Sequence, residues 1–272
     1  MQQAPTLGII GGNGWLGSAL GRAALASGLI APQQLVVTAS RSGYRYGEWP
    51  GVTCVDSAGA LLESADIVVV SVRPEQFAEL DLALENRLVI SLMAKVSIAT
   101  LTQATGSERI VRAMPNAVAA IGRSYTPWCA TPAVSRAERD WVQRLFSTCG
   151  SSDELDDEAQ IDYLTALTGS GPAFPALLAD ALIGHAIAQG IPEAIARRGV
   201  LHNLSGSLQL MLEEATPPAE IVKRFLDYGG VTTEGLNAMI QGGFQRAVHD
   251  GLEAAHMATL DQADSPRKPE LD

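Results

Sequence analysis

The sequence predicts an α/β chain, with a doubly wound parallel sheet in its first half and an all-helical second half. Three observations point there. Short apolar runs alternate with helix-spaced patterns up to about residue 113. One of those runs, 67–72 (IVVVSV), is continuous and β-branched, as a strand covered on both faces must be. From residue 158 onward the apolar spacing is almost wholly helical.

Taken in order, 7–10 reads as a strand and 17–26 as a helix ending near Gly28. Strands follow at 35–39, 52–55, 67–72, 88–92 and 109–113, with a helix at 98–105. Pro74, just after the 67–72 run, suits the first turn of a helix, where its missing amide costs nothing. In the second half, helices are expected at 161–189, 192–214, 218–226 and 233–257. The string GSGP at 169–172 interrupts the first of them, because proline removes an amide and clashes with the preceding turn. The acidic stretch 153–158 reads as the link between halves. It gives a sheet domain over 1–157, a helical domain over 158–262 and a polar, Pro-containing tail over 263–272 that is expected to be disordered.

Composition narrows the function classes. The 272 residues are 47% hydrophobic and carry a formal net charge of −11, so a large core is expected and a nucleic-acid partner is not. No 18-residue apolar run and no basic, apolar N-terminal start stand out, so neither a membrane nor a secretory route is expected. Three scattered cysteines fit free thiols in a reducing cytoplasm. The four histidines show no ligand spacing, and no metal is expected.

The chemistry-bearing segment is Gly12-Asn13-Gly14-Trp15-Leu16-Gly17, which fits G-x-G-x-x-G. It follows a strand and opens a helix, the setting of a Rossmann-type dinucleotide site. In that setting Gly12 permits the tight turn, Gly14 lets the backbone approach a pyrophosphate, and Gly17 lets helix and strand pack closely. Gly12, Asn13, Gly14, Trp15 and Leu16 are therefore the candidate cofactor-binding residues. The second strand ends in Ser40-Arg41-Ser42 and has no acid to hold a ribose 2′-hydroxyl. Ser40 and Arg41 suit a 2′-phosphate instead, so the expected cofactor is NADP(H), with NAD(H) as the alternative.

Several further segments carry a resemblance. They are Arg112-Ala113-Met114-Pro115-Asn116, LTGSGPA at 167–173, GGVTTEGL at 229–236, QGGF at 241–244, VSVRPEQ at 70–76 and ISLMAKVSIATL at 90–101. Together, in this order and over roughly residues 6–260, they resemble the pyrroline-5-carboxylate reductase family. The resemblance implies an N-terminal Rossmann domain that binds NAD(P)H and C-terminal helices that intertwine with a second copy, as a homodimer or larger homo-oligomer. It implies a five-membered cyclic imine with a carboxylate as substrate, reduced to L-proline. Residue by residue, it makes Thr232 the hydroxyl that hydrogen-bonds the ring nitrogen, and Gly230 and Val231 the loop that holds the carboxylate. Val72 and Pro74 would lie along the nicotinamide, and Asn116 close to the cofactor.

Three departures keep alternatives open. Where the family pattern has Ser-Pro before the paired glycines, this chain has Asp227-Tyr228, Lys95 stands where the family has glycine, and the glycine turn is one residue longer, with Gly11 before Gly12. A carboxylate beside a substrate carboxylate would repel it. A paralogue reducing another cyclic imine, or a non-catalytic NADPH-binding protein, remain the competing readings. Hydroxy-acid oxidation is disfavoured because Lys95, Lys223 and Lys268 all lack the N-x-x-K context of the lysine it needs.

Overall fold

The computed structural model describes residues 5–38, 45–214 and 216–260. The described chain separates into two compact units. One runs to Gly171 and includes the chain again from Ala254; the other is Pro172–Glu253. The residue 157/158 division read from the sequence is thus drawn here at the Gly171–Pro172 break, because the helix that opens the second half packs into the first unit. The expected tail, 263–272, lies outside the described residues.

The first unit is an eight-stranded sheet. Its strands are β1 (Leu7–Ile10), β2 (Leu35–Thr38), β3 (Thr53–Val55), β4 (Ile67–Val70), β5 (Leu88–Ser91), β6 (Ile110–Ala113), β7 (Ser124–Ala130) and β8 (Gly150–Glu154). The spatial order is β3-β2-β1-β4-β5-β6-β7-β8. All neighbours run parallel except β6 and β7, which pair antiparallel. Interleaved helices are α1 (Trp15–Ala26), α2 (Ala58–Leu62), α3 (Pro74–Phe77), α4 (Ile98–Thr105), α5 (Arg136–Ser147) and α6 (Glu158–Leu164).

The period of two along each strand builds a core on either face. Leu7, Ile9, Val37, Val69 and Ile90 point to one side, against Leu20 and Ala24 of α1 and Leu145 and Phe146 of α5. Ile10, Val36, Val68, Val70 and Val89 point to the other, against Leu61, Phe77 and Leu101. This is why β4 reads as an unbroken apolar run: both its faces are covered. The strand itself stops at Val70 rather than residue 72.

The sequence reading assigned no element between 114 and 157, and there the structure adds β7, α5 and β8. The supposed link is not one. Asp153 and Glu154 belong to β8, an edge strand, where exposed charge is tolerated and discourages further pairing. Glu158 opens α6. A capping box, Ser135 with Glu138, starts α5. Burial pushes the Glu138 carboxyl up, but hydrogen bonds from Ser135 and the nearby Arg109 outweigh it and hold it below its ordinary value.

After α6 the chain forms a π-turn at Thr165–Gly169, which replaces the simple interruption expected at GSGP. The helical unit follows: α7 (Ala173–Ala188), α8 (Glu193–Glu214), α9 (Pro218–Tyr228), α10 (Val231–Gln241) and α11 (Phe244–Leu260), whose last turns return to the first unit. The single helix expected over 233–257 is two helices, because Gly243 adopts a left-handed φ of 84° between them. Within the unit α7 packs on α8 and α9 on α10. Against the expectation of no long apolar run, 158–188 contains an 18-residue window apolar enough to pass for a membrane span by composition, and only 6% of that window is buried.

Candidate active site

The order of strands reverses between β1 and β4, so connections leave those two strands in opposite directions and open a crevice at their carboxyl ends. The glycine turn leaves β1 there, and the 71–74 segment leaves β4. Their contact is close: a Cβ on Gly11 would stand 2.3 Å from the Ser71 carbonyl oxygen and 3.1 Å from a Val72 methyl.

The turn is built by one more glycine than the fingerprint names. Gly11, not Gly12, has the left-handed backbone (φ 81°) that tightens it. Gly12 instead lies flat against Val37, which a Cβ would meet at 2.6 Å. Gly17 presses on the Gly11 carbonyl, also at 2.6 Å, so the expected helix-packing role of the third glycine holds in a modified form. The Thr38 hydroxyl oxygen accepts the Gly11 amide at 2.8 Å and ties β2 to the turn. Gly11 shows in the sequence as the extra glycine of a longer turn, although not as the residue that tightens it; nothing in the sequence marks Thr38.

Gly14 is the exposed N-cap of α1 and supplies no side-chain cap. The amides of Trp15 and Leu16, in the first turn of a twelve-residue helix, therefore have no side-chain acceptor among the described residues and sit at its positive end. Trp15 itself is 64% exposed beside them. This arrangement fits a diphosphate. Asn13 lies in the same turn and is half-buried. Ser40 and Arg41 lie outside the described residues.

Val72 and Pro74 are half-buried on the other lip of the crevice, with Pro74 at the first position of α3. Asn116 is buried, and its side chain is spent inside the protein. Its Nδ2 donates to the Thr168 carbonyl at 2.9 Å, and its Oδ1 accepts the Val118 amide at 3.2 Å. Its influence on a cofactor would run through the backbone it fixes, including the π-turn. Nearby, buried Arg112 donates to Glu158 at 2.7 Å and to Asp162 at 2.6 Å, which locks α6 onto β6. Burial, aided by the Glu158 charge, pushes the adjacent Cys129 thiol up to about 11, so it is no nucleophile.

In the helical unit, Gly229 and Gly230 both take left-handed φ values and turn α9 into α10. Val231 and Thr232 open α10 at that turn and are exposed. Thr232 does not cap the helix. Its neighbour Thr233 donates to the Phe225 carbonyl at 2.7 Å, while among the described residues the Thr232 hydroxyl has no protein partner. Asp227 forms an ion pair with Lys223, one helical turn earlier, at 2.5 Å.

Sheet, switch-point crevice and uncapped glycine turn define a Rossmann-type dinucleotide-binding protein with an added helical unit. Residues 158–260 match the family model described as pyrroline-5-carboxylate reductase dimerisation, and residues 6–95 match that described as NADP oxidoreductase, coenzyme F420-dependent. The chain belongs to the pyrroline-5-carboxylate reductase family. It is 32% identical to the pyrroline-5-carboxylate reductase of Pseudomonas aeruginosa over 219 residues, covering 78% of this chain and 80% of that one. It is 30% identical to that of Thermus thermophilus, covering 90% of this chain and 94% of that one. Its fold matches the crystal structure of Plasmodium falciparum pyrroline carboxylate reductase with NADP bound, at a TM-score of 0.85 and 25% identity, over 97% of this chain and all of that one.

Proposed function

We infer that this protein reduces 1-pyrroline-5-carboxylate to L-proline with NADPH. The observation that carries the reading is family membership across both units, joined to an uncapped glycine turn at the switch point. When bound, the coenzyme supplies the hydride that reduces the imine carbon. The protein's own part is to bind, orient and exclude water. The first-turn amides at Trp15 and Leu16, with Gly12, Asn13 and Gly14, hold the diphosphate. Ser40 and Arg41 receive the 2′-phosphate, and Val72 and Pro74 bound the nicotinamide side.

The Thr232 hydroxyl, without a partner among the described residues, steers the ring nitrogen, and the Gly230 and Val231 backbone holds the carboxylate. A cyclic imine is protonated by water near neutral pH, so a positioned hydroxyl suffices and a strong acid is not required. The Lys223 ammonium beside Asp227 lessens the repulsion a substrate carboxylate would meet there, which favours a substrate that carries one. The protein acts as a homo-oligomer, and a dimer built on the helical unit is the proposed form. Three cysteines without a disulfide support a cytoplasmic setting.

The test is NADPH oxidation by the purified protein with DL-pyrroline-5-carboxylate, beside Thr232→Ala. Loss of one hydrogen bond to a charged group is expected to lower turnover roughly ten- to a hundredfold, with NADPH affinity unchanged. No turnover by the wild type while NADPH still binds would sink the substrate assignment, and cyclic imines without a carboxylate would be tried next.

A further inference from the structure

Parallel strands β2 and β3 are joined by a link of which residues 45–52 are described. That part is a succession of turns. Trp49 and Val52 pack partly buried against the core, and Tyr46 goes deeper. Tyr46 is fully buried, and its phenol donates to the Gly12 carbonyl oxygen at 2.9 Å, with the Gly17 carbonyl oxygen at 3.4 Å.

Helix α1 makes room for that ring. A Cβ on Gly21 would stand 2.6 Å from the phenol oxygen and 3.1 Å from the ring edge. Gly21 lies outside the G-x-G-x-x-G fingerprint, so its small size answers to Tyr46 rather than to the turn. On its other side Gly12 is stopped by Val37. The phosphate-binding turn is therefore held between a strand and a tyrosine.

We propose that Tyr46 is a positioning residue for the coenzyme: it braces the glycine turn from behind, so that the Trp15 and Leu16 amides keep facing the diphosphate. The proposal rests on the coenzyme reading above. The brace acts on the part of the molecule that NADPH and NADH share, which makes its signature distinct from that of a 2′-phosphate contact.

The experiment is Tyr46→Phe in the full chain, with dissociation constants for NADPH and NADH measured by fluorescence titration and kinetics measured alongside. Losing one buried hydrogen bond is expected to weaken both nucleotides about fivefold. Coenzyme KM should rise in step, kcat at saturation should hold, and the NADPH-to-NADH preference should not change. Gly21→Ala, which crowds the ring, should weaken both nucleotides as well, and adding Tyr46→Phe to it should restore part of the loss by removing the crowded oxygen. A lower thermal midpoint with both dissociation constants unchanged would show packing alone and overturn the proposal. A loss for NADPH only would overturn it too, by placing Tyr46 with the 2′-phosphate. Failure of the wild type to bind either nucleotide would instead sink the coenzyme reading itself.

Discussion

Every residue of β1, β4 and β5 is buried, whereas α9 and α10 bury none of theirs. The contrast is not one of composition, since α7 is among the most apolar segments and yet buries only Ala179. Leu177 on α7 is 70% exposed, and Leu212 on α8 is 79% exposed. A helix that is apolar all round asks for cover on every side. The sheet unit finds its cover within one chain, and the helical unit does not. Stability should therefore be intrinsic in the first and depend on self-association in the second.

The largest expected effect tests the first half of that statement. Arg112→Ala removes the cation shared by Glu158 and Asp162 and should cost about 3 kcal/mol, read from chemical denaturation of the sheet unit. A loss below about 1 kcal/mol would mean that α6 is held to β6 by packing rather than charge. The second half is tested by Leu177→Glu combined with Leu182→Glu. Charges placed on sides of α7 that a second copy covers should weaken self-association by about 3 kcal/mol, seen as a shift to a smaller species in sedimentation. If α7 stays uncovered in solution, the oligomer will be unchanged. The smallest effect concerns Lys95, which holds a left-handed φ of 63°. Lys95→Gly should raise stability by about 1 kcal/mol at most, in thermal unfolding. A rise in stability accompanied by slower turnover would give the strained lysine a catalytic purpose.

The strained backbone at Lys95 gives a physical reading to that departure from the family pattern: a left-handed φ suits the glycine that the resemblance implies there, and this chain meets it with a lysine. Legibility elsewhere followed the range of the forces involved. β1, α1 and β4 were readable because period and glycine spacing are local. The α5 helix was readable in principle from Ser135 and Glu138, three apart, and from Trp141, Val142, Leu145 and Phe146 on one face. β7 escaped because Pro127 within it breaks the usual strand pattern and its pairing with β6 is set only by the fold. The glycine turn and the Gly229–Thr232 turn, where the proposed site residues lie, are legible as motifs. Tyr46 and Thr38 are not, since each acts on glycines distant in sequence, and no spacing rule reaches that far.

The chain's return to the sheet unit has a consequence for synthesis. The Thr259 hydroxyl lies 3.3 Å from the Asp162 carbonyl oxygen, 97 positions earlier, and the His256 ring meets Tyr163 edge-on at 5.3 Å. A ribosome emits the whole of α7, α8, α9 and α10 between those partners. The domain made first is thus completed last, and it must wait, with α6 uncovered on that side, until the final helix emerges.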